Sequence, residues 1–221
     1  MSLRARYARV EDLPRILEIY NAWISCGSAT GDIEPALVEE KLEWFEGHQG
    51  GKRPLWVLEN DALIAGWSGL SSFHDRSIFA NTAEVSIYIA PEHQRRGFGR
   101  YLLQRVMESC PQLGIDTLLG FVLADNLPSN RLFEVLGFAR WGLLPDVALV
   151  AGVRRDLVIF GKPFPLAQAD ANPLRVRSEI KSLSTSANRP NKATITRAMD
   201  HLSSGCLPAV EFPTFASGRQ G

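Results

Sequence analysis

The chain has 221 residues, with 24 Lys or Arg balanced by 24 Asp or Glu, so its formal charge is zero. That balance argues against nucleic-acid and membrane-surface partners, which favour a basic face. The length suits one domain of ordinary size with some chain to spare, enough to bury a proper core. Cys26, Cys110 and Cys206 are widely spaced and odd in number. They make no metal-ligand pattern, so no metal is expected, and they suit a reducing compartment. The first residues, Met-Ser-Leu-Arg-Ala-Arg-Tyr, contain no apolar signal-peptide core, and no apolar run reaches membrane-spanning length. The expectation is a soluble, cytoplasmic protein.

Residues 3 to 10 read as a first strand. Asp12 reads as the N-cap of a helix with Pro14 in its first turn, and Leu13, Ile16, Leu17, Tyr20, Trp23 and Ile24 recur at helical spacing as far as Gly27. Residues 28 to 32 make a polar loop, and a second helix is expected from Pro35 to Glu46 with Leu37, Leu42 and Phe45 inward. Residues 56 to 59 and 63 to 70 form two strands around Asn60-Asp61, which has the composition of a hairpin turn. A loop over 71 to 82 carries His74, Asp75 and Arg76.

In the next stretch Val85, Ile87 and Ile89 alternate with Glu84, Ser86 and Tyr88, the pattern of a strand, and Pro91 ends it. Gln94-Arg95-Arg96-Gly97-Phe98-Gly99-Arg100 then opens a helix. Glycines at the mouth of a helix let the backbone approach a ligand. The free first-turn N–H groups and the helix dipole attract an anion there, with three arginines beside them. These residues suit a pyrophosphate cradle, although Gly97 and Gly99 also suit a plain turn. His93, just before the cradle, reads as a surface or supporting residue.

The helix that follows carries Leu102, Leu103, Val106, Met107 and Cys110 on one face and closes at Pro111 and Gly114. Residues 117 to 123 are almost wholly apolar, as in a strand covered on both faces. Asp125-Asn126 breaks the run, Ser129 is placed to cap a short helix through Phe133 to Leu136, and Gly137 stops it. Strands are expected over 138 to 144 and 154 to 160. This order implies an α/β (α+β) fold, a mixed central β-sheet flanked by helices on both faces. From 166 to 221 Ser, Thr, Ala, Asn and Pro dominate, so residues 1 to 165 are read as the domain and the rest as a disordered tail. A weak amphipathic helix near 193 to 202 is given no role.

The run Val-x-Ile-x-Ile-x-Pro-x-x-Gln-Arg-Arg-Gly-x-Gly over residues 85 to 99 resembles the acetyl-CoA motif of the GCN5-related N-acetyltransferases, the GNAT family. Its glycine spacing is not that of the dinucleotide fingerprint. Leu-Ala-Asp-Asn-x-x-Ser-x-x-Leu-Phe-Glu-x-Leu-Gly-Phe over 123 to 138 is similar to the family's second signature. Ile19-Tyr20-Asn21, residues 83 to 89, Leu144-Pro145, Val147, Gly152 and Asp156-Leu157 bring the chain nearest to the phosphinothricin acetyltransferase branch. The resemblance covers roughly residues 3 to 164.

The resemblance implies a GNAT fold, acetyl-CoA as co-substrate, a small-molecule amine as acceptor and a homodimer. Glu84 resembles the branch's general base, and a carboxylate there can take the amine proton directly or through water. Main-chain groups of Ile87, Tyr88 and Ile89 correspond to those facing the thioester. Gln94, Arg95, Arg96, Gly97, Phe98, Gly99 and Arg100 would hold the pyrophosphate, and Asn126, Ser129 and Phe133 would complete the cofactor side. Many members have tyrosine and the branch often histidine where this chain has Phe133, which can donate nothing; Tyr88 or water is left to stand in as acid. The branch's Lys-x-Gly-x-Trp is here Val150-Ala151-Gly152-Val153-Arg154, leaving Arg154 or Arg155 to replace the cation and placing phosphinothricin itself in doubt. A non-catalytic acyl-CoA sensor and a protein-amine acetyltransferase are the alternatives.

Overall fold

A computed structural model describes residues 2–26 and 34–165. The expected tail, its weak helix and the loop over 28 to 32 lie outside the described residues. Strand β1 (Leu3–Tyr7) leads through a 3-10 turn (Val10–Asp12) into α1 (Leu13–Cys26), then α2 (Val38–Gly47) and the hairpin β2 (Leu55–Asn60) and β3 (Leu63–Ser72). Next come β4 (Thr82–Ile89), α3 (Phe98–Ser109), β5 (Thr117–Leu123), α4 (Leu127–Val135) and the hairpin β6 (Ala139–Val150) and β7 (Val153–Pro163). The seven strands form one sheet in the order β1-β2-β3-β4-β5-β7-β6. Every neighbouring pair is antiparallel except β4 and β5.

Each face of the sheet has its own core, because strand side chains alternate. One face packs Ala83, Val85, Leu118 and Val122 against Leu102, Leu103 and Val106 of α3 and Phe133 of α4. The other packs Leu55, Val57 and Trp67 against Leu13, Ile16 and Leu17 of α1 and Phe45 of α2. The central strand is thereby fixed from both sides, with Glu84, Ser86 and Tyr88 on the α1–α2 face.

Several expected boundaries move, each for a local reason. The first strand ends at Tyr7 rather than Val10, because the 3-10 turn begins there. Asp12 is not the N-cap of α1. It closes that turn, accepting from the Arg9 N–H at 2.7 Å and from Arg6 at 2.6 and 2.9 Å. Helix α2 starts three residues later than expected. The Asn21 side chain holds both the N–H and the carbonyl of Ala36, at 2.8 and 3.0 Å, and Leu37 stays extended. Leu37 and Leu42 are exposed, one before the helix and one on the rim of its buried face, whereas Phe45 is buried.

The β2–β3 turn is centred on Asp61-Ala62, both at positive φ, one residue beyond the expected Asn60-Asp61. The cap of α4 is Asn126, whose Oδ1 accepts from the Ser129 N–H at 3.2 Å, so Ser129 is the capped residue and not the cap. The last hairpin is longer than expected at both strands, with an irregularity between Leu144 and Ala148 that hides its period. Gly137 stops α4 at φ 78°, as its position predicts.

Candidate active site

Strands β4 and β5 ladder together at only three positions, Thr82↔Thr117, Ala83↔Leu118 and Glu84↔Leu119. Beyond Leu119, β5 continues to pair with β7, while β4 continues with β3. The two central strands therefore part after Glu84, leaving a gap that widens toward Ile89. Strand parity fixes what faces it. The Ala90 N–H donates to the Ala65 carbonyl at 2.9 Å and the Ser86 carbonyl accepts from Ser68 Oγ at 2.8 Å, so residues 86, 88 and 90 turn their main chain toward β3. Val85, Ile87 and Ile89 consequently turn theirs toward the gap. Tyr88, named with them from the sequence, does not: its main chain faces β3 and its ring lies on the α1–α2 face, stacked on Trp67 at 4.7 Å.

The cradle stands at the open end of this gap. Gly97 is the N-cap of α3 at φ 80°, a left-handed conformation that L side chains rarely adopt, and it offers no capping side chain. The first-turn N–H groups of α3 are therefore left to a ligand or solvent. Arg95 also has a positive φ of 58°. Gln94, Arg95, Arg96, Gly97 and Arg100 are exposed, Gly99 is half-buried and Phe98 points into the core. Gly99 lies against Ile89 and Leu132, where an added Cβ would come within 3.4 Å of the Leu132 side chain. The donor set is two glycines at a helix mouth with three exposed arginines, which fits a pyrophosphate.

Glu84 is the last β4 residue laddered to β5, at the closed end of the gap. From Glu84 to Ile89 the strand spans five steps, roughly 17 Å at about 3.3 Å per residue. Its side chain is half-buried, and no cation pairs with it among the described residues. Burial pushes its carboxyl above the ordinary glutamate value. A carboxylate so placed is a stronger base than one in water.

The other expected residues divide. Asn126 and Ser129 are joined in the α4 cap at the end of β5, so capping is a role the structure shows for Asn126. Phe133 is buried, stacked on Phe160 at 5.3 Å and pressed onto Gly120. A Cβ on Gly120 would lie 2.3 Å from the Phe133 ring, so that ring is part of the core. His93 is half-buried beside the cradle, with its ring 5.8 Å from Phe98. His74 lies in the 73–81 loop, against Phe79 and accepting from the Arg76 N–H at 3.2 Å. Arg154 donates to the Asp146 carbonyl at 3.0 Å and Arg155 pairs with Asp125, so both candidate cations already have partners.

Two contacts near the site escaped the sequence. Trp23 Nε1 donates to the Ile89 carbonyl at 2.9 Å, anchoring the last residue of β4 to α1. Arg53 Nη2 donates to the carbonyls of Ala80 at 2.8 Å and Thr82 at 3.1 Å, just ahead of Glu84. Neither has a local sequence signal, because both join segments 27 or more residues apart. Among the described residues no group of three or more His, Cys, Asp or Glu is gathered as metal ligands would be. No helix among them is long and apolar enough to cross a membrane.

Residues 16–138 match the model of the acetyltransferase (GNAT) family. YwnH of Bacillus subtilis (strain 168), provisionally named a phosphinothricin acetyltransferase, is 42% identical over 158 residues, which are 71% of this chain and 96% of that protein. The L-methionine sulfoximine/L-methionine sulfone acetyltransferase of Salmonella typhimurium (strain LT2) is 29% identical over 69% of this chain and 89% of its own. Among solved structures, a GNAT superfamily phosphinothricin acetyltransferase from Sinorhizobium meliloti in complex with acetyl-CoA superposes with a TM-score of 0.71. It is 25% identical, and the match covers 78% of this chain and 97% of that one.

Proposed function

The chain belongs to the acetyltransferase (GNAT) family, and from that premise we propose that it moves the acetyl group of acetyl-CoA to the primary amine of a small amino acid or analogue. The observation that carries the chemistry is the pairing of two ends of one gap. A cationic helix mouth stands at the open end, and at the closed end is a half-buried carboxylate with no cation beside it among the described residues.

Acetyl-CoA supplies the activated acyl group, and Gly97, Phe98, Gly99 and the arginines 95, 96 and 100 are the residues that would hold its pyrophosphate. The protein must then take a proton and steady a charge. The amine nitrogen attacks the thioester carbonyl carbon, the C–S bond breaks, and the thiolate carries away that electron pair. Glu84 accepts the amine proton, directly or through water, and its raised affinity for protons suits that task at neutral pH. Negative charge gathering on the carbonyl oxygen needs donors fixed in advance, and the main-chain N–H groups of Ile87 and Ile89 turn toward the gap. A thiolate leaves readily, so the inability of Phe133 to donate is no obstacle.

The amino-acid class of acceptor is supported by the named activities of the Salmonella and Sinorhizobium relatives. The sensor reading is the weaker one, since a half-buried glutamate with no cation beside it among the described residues serves proton transfer and not cofactor binding. We further read the chain as cytoplasmic, with the catalytic unit over residues 1–165. We also read it as a homodimer, supported by apolar residues exposed along edge strand β6. The test is thiol release from acetyl-CoA against a panel of amino acids, methionine sulfoximine and phosphinothricin from neutral to alkaline pH. Release that depends on one of these acceptors is expected. Tight acetyl-CoA binding with no acceptor-dependent release would turn the reading toward the sensor.

A further inference from the structure

The 73–81 loop leaves β3 and returns into β4 right beside Glu84, because Ser72 pairs with Ala83 and Ser71 with Glu84. Its return is held by Arg53, on the connection between α2 and β2. One guanidinium nitrogen, Nη2, reaches the Ala80 carbonyl at 2.8 Å and the Thr82 carbonyl at 3.1 Å; the other, Nη1, reaches the Lys52 carbonyl at 3.0 Å. Between the two bridged residues, the Asn81 carbonyl accepts from the N–H groups of Asp116 at 3.0 Å and Thr117 at 3.4 Å, where β5 begins. The loop, β4 and β5 therefore meet at a point held by Arg53, two residues before Glu84.

Arg53 is a poor choice if stability were the only demand. It is half-buried, burial pulls its pKa below the usual arginine value, and no carboxylate pairs with it among the described residues. Its Nε is buried without a hydrogen-bond partner among them. A half-buried cation with a buried, unpartnered Nε and no counter-ion among the described residues costs some stability that an apolar side chain of similar size would not. What the guanidinium adds is a planar, rigid group whose Nη1 is tied to the Lys52 carbonyl while the two N–H groups of Nη2 hold the Ala80 and Thr82 carbonyls together, a bridge that an apolar side chain cannot make.

We propose that Arg53 is a positioning residue that, by bridging the Ala80 and Thr82 carbonyls, sets where Glu84 stands at the closed end of the β4–β5 gap. The proposal rests on the reading of Glu84 as the base. It acts through geometry, since a displacement of about 1 Å at a reacting group can cost on the order of a hundredfold in rate.

The test is a four-cornered comparison in the full chain of wild type, Arg53→Met, Glu84→Gln and the double variant, using the best acceptor of the panel above. Arg53→Met, which removes every donor, should lower kcat by about tenfold or more, with CoA affinity by calorimetry changed by less than about twofold. In the Glu84→Gln background the same change should cost less than about twofold more, because the group it positions is gone. Arg53→Leu serves as the second variant should the methionine protein fail to fold. Wild-type turnover in the folded Arg53 variants, or a loss that multiplies in full on top of Glu84→Gln, overturns the proposal alone. Wild-type turnover in Glu84→Gln overturns the base assignment and this proposal together.

Discussion

Arg6 sits between two carboxylates, Asp12 at 2.6 Å and Glu59 at 2.7 Å, and joins β1, β2 and the turn before α1. Burial by itself would raise the Asp12 carboxyl, but the hydrogen bonds from Arg6 and the Arg9 N–H more than reverse this and hold it below the usual range. A carboxyl whose folded value is depressed adds stability above its unfolded value, near about 3.9, and loses it as pH falls through the lower folded value. Asp12→Asn should therefore destabilise the protein by about 2 kcal/mol at neutral pH, since the charge-assisted bonds from Arg6 are weakened while Glu59 still neutralises it. The difference from wild type should shrink as the pH drops below about 4. Urea unfolding midpoints across acid pH check this; a constant difference down to the lowest pH would count against it. Asp12 also shows why a residue type alone misleads. An Asp before a helix satisfies the usual capping pattern, yet its partner is Arg6 on a neighbouring strand, which no local rule contains.

At the scale of elements, the legible parts were those whose period is uninterrupted. β4 and α3 follow from alternation and from Gly97 and Gly99; the nearly all-apolar β5 reads as a doubly covered strand, and it has Leu118 and Val122 in the core on one face, with Leu119 and Leu123 buried and Phe121 half-buried on the other. The β6–β7 hairpin was cut short because the irregularity between Leu144 and Ala148 shifts its phase, and Asp146 there takes a positive φ of 53°. That same element bears on assembly. β6 is a 12-residue strand at the sheet edge, and Trp141, Leu143, Val147 and Leu149 along it are each more than half exposed, at 52, 54, 53 and 58%. Long apolar edges are usually covered in the working state of a protein. Light scattering after gel filtration should give a dimer, and Leu143→Glu with Val147→Glu should shift it to a monomer while leaving the fold's circular dichroism in place. A wild-type monomer at micromolar concentration would contradict the homodimer.

Over the whole molecule, the two cores on opposite faces of one sheet make the active-site geometry possible. They clamp β4 from both sides while β4 and β5, paired over only three residues, are free to part. The alternation of 84, 86 and 88 against 83, 85 and 87 made the two faces of β4 legible in advance. The three-residue ladder was not, because pairing depends on how far β5 is drawn toward β7, a contact between segments far apart in sequence. The burial of Glu84 is legible only in three dimensions for the same reason. The most direct measurement of the central claim is the pH dependence of kcat/KM for wild type, set beside turnover of Glu84→Gln. Because burial raises the Glu84 carboxyl, the rate should fall as pH drops through a value above the ordinary glutamate one, near about 4.3. Glu84→Gln should lose about a hundredfold or more in kcat while still binding acetyl-CoA. Turnover in Glu84→Gln within about twofold of wild type, with the same acid limb, would contradict the account.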